Sequence, residues 1–546
     1  MRASSKFSVK SGLPPRLIPA IVSGTQGRLA LALLSSVLLT LSFPSPDQGW
    51  LAWIALAPLL IACAELGPAA SFPLGLVSGM AASLGIFSWM FAVPGFRWYH
   101  GAIAAVYLGM YTAAWCSGVS LGKRAGLPLA ISAPALWVTL DFLKSHAGFL
   151  SLPWASLAHS QHGNLAVLQI SAVTGESGVT FLLVLVNAAI AATILKPVYI
   201  QPIAAGAVLA TVVAHGAWRL SADDKSAPLR VAVVQPCIWP GDQQKDTGQA
   251  KTLMKLETLT AAAAASSARL IAWPETAVLN LQSSPSIRQR LDSLSAKIGA
   301  AILVGASERV KFTDHALNDS SEKGIRSYNA AYLIRSGVPD AEPYRKNRLV
   351  PFGEYLPLEG SFSWPSWFVG QGFYTVPGRE RMLFSLAGRT RFGIMICWEN
   401  MFSGIAREDV RLGARLLVNM VNDGWFGRTG ASRQHNCASV LRAVENGVPV
   451  VVASNCGPSQ VIDAHGRVIA TLPDSFSSGA VSADLRVGRQ LTFYTRHGDL
   501  FACICSGMCM LLMLFAFVRR FVEEHCGEAV LLLDKLFIKN GHNDRL

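Results

Sequence analysis

The chain has 546 residues and a formal net charge of +13, with 51% hydrophobic and only 15% charged residues and a mean hydropathy of +0.37. This composition excludes an ordinary soluble domain and predicts a protein with several membrane helices. The excess of Lys and Arg does not indicate nucleic-acid binding, because no basic face is interleaved with stacking aromatic side chains.

Apolar segments that approach the length needed to span a bilayer recur along the first part of the chain and once more near its end. They lie at 29–43, 50–64, 69–93, 101–121, 127–142, 179–195, 200–218 and 500–518. One such segment alone is also typical of a buried core helix, but this succession predicts about eight transmembrane helices. The first segment follows a basic stretch, as in a signal peptide, yet it lacks a small-x-small cleavage pattern, so we predict a retained anchor.

Basic residues flank alternate segments and therefore predict the orientation in the membrane. They precede the first segment and follow the fourth, the sixth and the last: Arg2, Lys6, Lys10, Arg16, Arg28, Lys123, Arg124, Lys196, Arg519 and Arg520. By the positive-inside rule both termini are cytoplasmic. We predict five regions: a basic N-terminus (1–28), a membrane domain with about seven helices (29–219), a polar block outside the cytoplasm (220–496), a last transmembrane helix (497–518) and a cytoplasmic tail (519–546).

Within the polar block, strand-like and helix-like stretches alternate. Strands are predicted at 230–235, 269–273, 301–307, 330–335, 391–396, 415–421 and 448–454, helices at 249–267, 287–298 and 438–446, and a hairpin over 460–470. This alternation indicates an α/β domain in which helices cover a sheet.

Three residues of the block form a set that suits acyl transfer by a thiol. Glu275 and Cys397 each end a β-like run, and reactive residues of α/β sheets collect at the carboxyl ends of strands. With Lys346 they supply a proton acceptor, a nucleophile and a cation for a developing oxyanion. Each also has a simpler interpretation: Glu275 as a helix-capping acid, Cys397 as a buried small thiol and Lys346 as part of a solvated basic run.

The block contains four cysteines, Cys237, Cys397, Cys437 and Cys456. A disulfide among them is possible outside the cytoplasm, but no spacing pairs them, and we predict no structural bridge that involves Cys397. Cys456 is interpreted as a small filler, with a redox role as the alternative. Zinc-type Cys/His spacing and a glycine-rich phosphate loop are both missing from the sequence, so we predict no metal and no cofactor.

Longer motifs around these residues resemble the nitrilase (carbon–nitrogen hydrolase) superfamily, whose Glu-Lys-Cys triad sits on an αββα sandwich. The motifs are RKNRLVPFGEYLP at 345–357, NDGWFG at 422–427 and RAVENGVP at 442–449. They are similar in particular to the apolipoprotein N-acyltransferase branch, which has membrane spans on both sides of a periplasmic nitrilase-like domain. The resemblance implies a multi-pass protein of a bacterial inner (cytoplasmic) membrane.

The resemblance also implies a two-step reaction with two lipid partners. Cys397 would take an acyl chain from a phospholipid as a thioester, and the free α-amino group of a diacylglyceryl-cysteine that begins an apolipoprotein would then receive it. Glu275 would act as general base, and Lys346 would stabilise the oxyanion. We expect a monomer that binds no nucleic acid.

Three neighbours are predicted to support the triad. Glu354 follows the lysine motif and is expected to orient Lys346. The backbone N–H of Trp398, which comes directly after the nucleophile, is expected to be a second oxyanion donor. For Glu399, a structural role in the cysteine loop and a catalytic role are equally compatible with the sequence.

An aromatic stretch without charge, residues 362–374, separates the lysine motif from the cysteine strand. Core packing is one explanation. The other is a mobile lid at the membrane surface, where aromatic rings are favoured. We predict that it admits lipid chains through five of its residues, Trp364, Trp367, Phe368, Phe373 and Tyr374.

Two other functions fit parts of the sequence. The triad by itself does not separate acyl transfer from hydrolysis, so a membrane-tethered amidase or nitrilase acting on a small C–N substrate is the alternative. A scaffold with an inactive nitrilase fold is disfavoured, because Glu275, Lys346 and Cys397 are all present.

Overall fold

The computed structural model describes residues 24–197, 199–222, 226–243, 248–311, 325–338, 341–359, 361–369, 375–386, 390–472, 475–488, 491–515 and 517–518. Up to residue 220 the described chain is helical. The helices are α1 Thr25–Leu41, α2 Ala57–Cys63, α3 Pro68–Ile86, α4 Trp98–Arg124, α5 Leu129–Ser145, α6 Leu165–Leu168, α7 Ser171–Thr174, α8 Glu176–Leu195 and α9 Ile200–Leu220.

Four of these helices, α3, α4, α8 and α9, are long and apolar enough to cross a membrane. Shorter apolar helices occupy Thr25–Leu41, Gly49–Cys63, Leu165–Thr174 and Leu500–Phe515, so the predicted count of about eight spans is not confirmed. The segment predicted at 50–64 is broken into a 3₁₀ turn, Gly49–Trp53, and α2. The Asn187 side chain supplies hydrogen bonds to the backbone at this break, because its Oδ1 accepts from the N–H groups of Leu56 and Ala57 at 2.8 and 3.0 Å.

Helices α3 and α4 approach each other closely because small residues line their interface. A Cβ added at Gly75 would lie 2.8 Å from the Ala113 Cα, and one added at Gly79 would lie 2.8 Å from the Gly109 Cα. Small residues let apolar helices pack backbone to backbone, which is a common way of joining helices in a membrane.

The remaining chain forms two sheets. In the first the strand order is β13-β1-β2-β4-β5-β6, with β3 beside β4, and in the second it is β12-β11-β10-β9-β8-β7. The strands are β1 Pro228–Gln235, β2 Leu270–Ala272, β3 Val278–Leu279, β4 Ala301–Lys311, β5 Ile325–Ile334, β6 Tyr344–Arg345, β7 Leu383–Leu386, β8 Thr390–Ile396, β9 Leu417–Val421, β10 Val450–Ser454, β11 Gln460–Ile462, β12 Val468–Thr471 and β13 Gly479–Arg486. The centre of each sheet is parallel, β1-β2-β4 and β8-β9-β10.

The sheets pack face to face, and helices cover their outer faces. Alternate residues of β1 show the layers: Val231 and Val233 face the second sheet, whereas Ala232 and Val234 face outward. The helices of this part are α10 Pro240–Gln243, α11 Gly248–Ala264, α12 Pro285–Ile298, α13 Ser403–Arg411, α14 Ala431–Asn446 and α15 Phe493–His497, and the apolar helix α16, Leu500–Phe515, follows. Of these, α11 and α12 pack on the first sheet, and α13 and α14 pack on the second. The predicted αββα sandwich is therefore present.

Helix α14 lies between the second sheet and the membrane helices. Of its 16 residues only Arg433 is not buried, so the helix has no solvent-exposed face. This explains why the predicted helix at 438–446 was too short, since amphipathic spacing does not mark a helix that is covered all round. Strands β7 and β13 and helix α13 were also not predicted from the sequence.

One glutamine of α14 joins the two parts of the molecule. Its Oε1 accepts hydrogen bonds from the indole N–H groups of Trp89 and Trp154 at 3.1 and 3.0 Å. Its Nε2 donates to the carbonyls of Ile86 and Pro44 at 3.0 and 2.6 Å. This residue, Gln434, is buried, so the sandwich and the apolar helices share one continuous interior.

Candidate active site

The predicted triad residues meet at one end of the sandwich. Glu275 follows β2, Lys346 follows β6 and Cys397 follows β8. β2 and β8 are parallel-sheet strands, and the carboxyl ends of such strands collect reactive groups. The segment that carries Glu275 packs directly on β4, and this requires a glycine, because a Cβ at Gly305 of β4 would lie 2.2 Å from the Pro274 carbonyl oxygen.

Glu275 is buried and hydrogen-bonded through both carboxylate oxygens. Oε1 accepts from Asn329 Nδ2 at 2.6 Å, and Oε2 accepts from the Asn422 backbone N–H at 2.9 Å. The Lys346 ammonium lies 3.5 Å from Oε1. Burial, opposed by Lys346, raises the pKa of Glu275. A carboxylate with a raised pKa is a better proton acceptor than an ordinary glutamate.

Lys346 is almost fully buried, and only 1% of its side chain is exposed. Its Nζ donates to Glu354 Oε1 at 2.8 Å, and Glu354 Oε2 in turn accepts from the Val350 N–H at 2.7 Å. Burial disfavours the ammonium, but Glu354 and Glu275 outweigh it and raise the pKa of Lys346. The lysine is therefore a fixed positive charge that is hydrogen-bonded to Glu354.

Cys397 is the first residue of a 3₁₀ turn, Cys397–Met401, and has a left-handed backbone with φ 56°. A cysteine is strained in this region, which favours glycine. The side chain is half-buried. Burial together with the Glu275 charge raises the pKa of the Cys397 thiol well above its usual range, and Lys346 opposes the shift. The resting cysteine is thus a thiol that needs a neighbouring base.

Glu399 ties the cysteine turn to the lysine loop. Its carboxylate accepts four hydrogen bonds of 2.7 to 3.0 Å, from the Tyr344 hydroxyl and from the backbone N–H groups of Asn347, Arg348 and Ile396. Glu399 is fully buried. These contacts favour a structural role over a catalytic one, because both carboxylate oxygens are already bound to donors of the protein.

Trp398 also connects these two segments. Its indole Nε1 donates to the Arg348 carbonyl at 2.7 Å, and its ring packs against Phe402 with centroids 5.0 Å apart. The side chain belongs to a buried aromatic cluster with Phe87 and Trp154 of the membrane part. Its backbone N–H directly follows the nucleophile, at the position predicted for an oxyanion donor.

The described part of the aromatic stretch, residues 362–369, is here called the aromatic loop. Trp364 stacks on Phe368 with ring centroids 5.5 Å apart and donates its indole N–H to the Pro357 carbonyl at 2.7 Å. Trp367 instead has 63% of its surface exposed. Helix α4 contacts the loop, since His100 Nε2 lies 2.9 Å from the Phe368 carbonyl oxygen. Phe373 and Tyr374 lie outside the described residues.

A cavity lies in the membrane part beneath the site. Its lining is mostly apolar and comes from α1, α3, α4, α5 and the loop after α5. Two of its wall residues, Phe87 and Trp154, belong to the aromatic cluster that contains Trp398. An ion pair, Lys144–Asp141 at 2.6 Å, lies on the cavity wall.

Sequence reasoning missed Asn329 and Asn422, the two residues that hold Glu275. Asn422 opens the NDGWFG motif, so its position in that motif was an available signal. Asn329 has no such signal, since it lies inside β5 and reaches Glu275 only because β5 and β4 are paired.

Family models match both parts of the chain. The model described as Carbon-nitrogen hydrolase matches residues 230–490, which include the whole triad. The model described as Apolipoprotein N-acyltransferase N-terminal domain matches residues 35–189 in the membrane part.

Relatives match nearly the full length. A protein of Geobacter metallireducens named apolipoprotein N-acyltransferase is 35% identical over 90% of this chain and 96% of its own length. A protein of Chlorobaculum tepidum with the same name is 30% identical, again over 90% and 96%.

Two solved structures resemble the sandwich. One is a variant of an amidase of the nitrilase superfamily from Nesterenkonia AN1, with a TM-score of 0.36, 19% identity, and coverage of 50% of this chain and 97% of that one. The other is Saccharomyces cerevisiae Nit3, with a TM-score of 0.37, 18% identity, and coverage of 51% and 97%.

Proposed function

This chain belongs to the apolipoprotein N-acyltransferase family, and we propose that Cys397 performs its acyl transfer through a thioester. The donor is a phospholipid, and the acceptor is the N-terminal α-amino group of the diacylglyceryl-cysteine of an apolipoprotein. One observation carries the assignment of the site: Glu275, Lys346 and Cys397 converge on a sandwich whose interior continues into a bundle of apolar helices.

In the first half-reaction Glu275 takes the Cys397 proton while sulfur attacks the ester carbonyl of the phospholipid. Negative charge moves to the carbonyl oxygen, where the Lys346 ammonium and the Trp398 N–H stabilise it. The C–O bond then breaks, and Glu275 returns the proton to the departing lysophospholipid. The acyl chain remains on Cys397 as a thioester.

In the second half-reaction the α-amino group of the acceptor attacks the thioester. Glu275, again a carboxylate, removes a proton from the nitrogen, and the same donors stabilise the oxyanion. The C–S bond breaks and an amide forms. The proton passes to the thiolate and restores the resting Cys397 thiol.

The cavity beneath the site suits the acyl tails of the substrates. It is mostly apolar, and its wall shares Phe87 and Trp154 with the cluster around Trp398. A lipid chain in this cavity lies in contact with apolar side chains while its carbonyl is directed toward Cys397. The exposed Trp367 on the aromatic loop is suited to the headgroup boundary, where lipid enters.

We also propose the orientation and the eight crossings: α1, the broken segment Gly49–Cys63, α3, α4, α5, α8, α9 and α16. Arg28 donates to the Ala62 carbonyl at 2.5 Å, and Lys123 donates to the Ala64 carbonyl, so basic residues near the ends of α1 and α4 gather at one end of the bundle. That end faces the cytoplasm by the positive-inside rule. The sandwich then lies on the periplasmic side of an inner membrane, both termini are cytoplasmic, and the protein works as a monomer.

The alternative of an amidase or nitrilase acting on a small C–N substrate is disfavoured. Relatives that match over most of their length are named apolipoprotein N-acyltransferase, and the family model of the membrane part has the same description. The amidase-like fold supplies the chemistry of a thiol acyl-enzyme, while the helices supply a place for lipid.

The test is to trap the acyl-enzyme. The purified full chain is incubated with a phospholipid carrying a labelled acyl chain, without acceptor, and the label is mapped by mass spectrometry. We expect a hydroxylamine-labile acyl group on Cys397 that a diacylglyceryl-cysteine peptide discharges as an N-acyl product. Cys397→Ser should give no hydroxylamine-labile thioester. Cys437→Ser is the control and should label normally, because Cys437 is a buried thiol that donates to the Arg433 carbonyl of its own helix.

Two outcomes would contradict the proposal. Absence of label from Cys397 in folded protein would favour the hydrolase of small amides. A label that forms but is lost only to water, with no N-acyl product, would indicate a lipid hydrolase on the same scaffold.

A further inference from the structure

Two thiols outside the triad lie at the same end of the sandwich as Cys397. Cys237 comes two residues after β1 ends, and Cys456 comes two residues after β10 ends. β1 belongs to the seven-stranded sheet and β10 to the six-stranded sheet. The two residues therefore approach each other across the gap between the sheets, and the acyl transfer proposed above uses neither.

Backbone and amide contacts fix the two segments against each other. The Cys237 N–H donates to the Asn455 carbonyl at 2.7 Å. The Asn455 side chain accepts from the Ile238 N–H at 3.0 Å and donates to the Ile238 carbonyl at 2.6 Å. Held in this way, the two cysteines are neighbours, and the Cys456 Sγ lies 3.9 Å from the carbonyl oxygen of Ile238, the residue that follows Cys237.

The two thiols differ in exposure and in charge. Cys456 is fully buried, whereas Cys237 is half-buried. The neighbouring Cys456 thiol, aided by the charges of Lys255 and Arg428 and opposed by burial, lowers the pKa of Cys237 to about 7. Because the thiolate is the attacking form, Cys237 is the thiol that reacts first with an external disulfide.

We propose that Cys237 and Cys456 form a disulfide that crosslinks the two sheets beside the active site. The Cys237 thiolate attacks a disulfide donor, such as oxidised glutathione or a thiol-oxidising protein, and displaces one donor thiol. Cys456 then loses its proton and attacks the Cys237 sulfur of the mixed disulfide, which releases the second donor thiol. Two S–H bonds become one S–S bond, and the donor disulfide is reduced by the two electrons.

The crosslink would brace the segment that orients the general base. Asn455 Nδ2 also donates to Asn422 Oδ1 at 2.8 Å, and the Asn422 N–H donates to Glu275 at 2.9 Å. A bond between Cys237 and Cys456 would join the residues next to Ile238 and Asn455, and would thus hold this series of hydrogen bonds in place. It also closes a long loop of the unfolded chain, which is the condition under which a disulfide stabilises most in the chain-entropy account.

The experiment uses the purified full chain in detergent, first reduced and then incubated with oxidised glutathione. After alkylation of the remaining thiols, we expect unreduced digests to contain one species that joins the peptides of Cys237 and Cys456. The melting temperature should rise by about 4 °C or more on oxidation. The rise should disappear in Cys237→Ser and persist in Cys437→Ser.

Single variants test the order of attack and show that the donor is reactive. Cys456→Ser should retain glutathione on Cys237, because no second thiol resolves the mixed disulfide, and Cys237→Ser should retain none on the buried Cys456. If Cys456→Ser traps glutathione while the native pair stays fully alkylated, the crosslink does not form and the proposal is wrong. It is equally wrong if Cys237 traps nothing or pairs with Cys397.

Discussion

At the scale of single residues, the site depends on how each charged group is held rather than on its identity alone. Glu275 receives two hydrogen bonds and lies near one cation, yet burial still raises its pKa. Lys346 keeps its charge in a buried position because Glu354 and Glu275 flank it. The combination places a proton acceptor and a permanent cation around one thiol.

Asn329→Ala is expected to move the acid limb of the pH–rate profile to higher pH. Asn329 donates to the Glu275 carboxylate, and this hydrogen bond lowers the Glu275 pKa. Without it the pKa rises further, so protonation removes the base at a higher pH. The measurement is the pH dependence of the rate of Cys397 acylation. An acid limb that stays in place or moves to lower pH would contradict the role given to Glu275.

Glu399→Gln is expected to lower the rate of acylation by about 10- to 100-fold. The glutamine amide replaces one acceptor oxygen by an NH2 group, which cannot accept from the donors that now bind the Glu399 carboxylate. The link between the cysteine turn and the lysine loop is therefore weakened. Single-turnover acylation of Cys397 measures this directly. Glu408→Gln, an exposed acid of α13, is the matched control. Equal rates for both variants would show that the four hydrogen bonds do not position Cys397.

At the scale of elements, the aromatic loop is not uniform. Trp364 is enclosed by aromatic rings, including Phe352 at 4.9 Å and Phe362 at 4.8 Å between centroids. Trp367 has 63% of its surface exposed. Trp364 is therefore packed as in a core, whereas the exposed Trp367 is the residue to which the proposed membrane contact applies.

Trp367→Ser is expected to impair acylation from phospholipid in vesicles while leaving a soluble short-chain acyl donor unaffected. The exposed indole is suited to the bilayer interface, so its loss affects lipid access and not chemistry. Trp364→Ser should impair both reactions, because it removes the packing of the loop. Trp239→Ser, another exposed tryptophan, is the control. Unchanged activity of the Trp367 variant on vesicles would exclude a lid that touches the membrane.

At the scale of the whole molecule, a buried ion network joins the membrane helices to the cysteine turn. Arg442 of α14 pairs with Glu176 at the start of α8 at 2.6 Å and with Glu445 at 2.8 Å. Its Nη1 also donates to the carbonyls of Asn400 and Met401. These contacts link the start of α8 to the turn that begins with Cys397 through buried polar groups.

Arg442→Gln is expected to lower the free energy of unfolding by about 3 kcal/mol or more, because it removes the cation that pairs with the buried Glu445 and with the partly buried Glu176. The measurement is thermal unfolding of the detergent-solubilised protein. The exposed Arg411→Gln controls for loss of a surface charge and should change the melting temperature little. A similar small change in both variants would mean that the network does not join the two parts of the protein.

The sequence by itself determined the class of the protein and its chemistry. The apolar segments, the alternation of strands and helices, and the motifs around Glu275, Lys346 and Cys397 are local patterns, and local patterns survive without knowledge of packing. The boundaries of β1, β8 and β9 and the hairpin β11–β12 were predicted within a few residues for the same reason.

Only the tertiary structure decided how these parts are joined. Helix α14 has no solvent-exposed face because it is covered on all sides, and β13 lies far along the chain from its partner β1. Asn329 reaches Glu275, and the segment of Cys237 reaches that of Cys456, through contacts between parts of the chain that are distant in sequence. Such contacts depend on strand pairing and sheet packing, which no short window of sequence encodes.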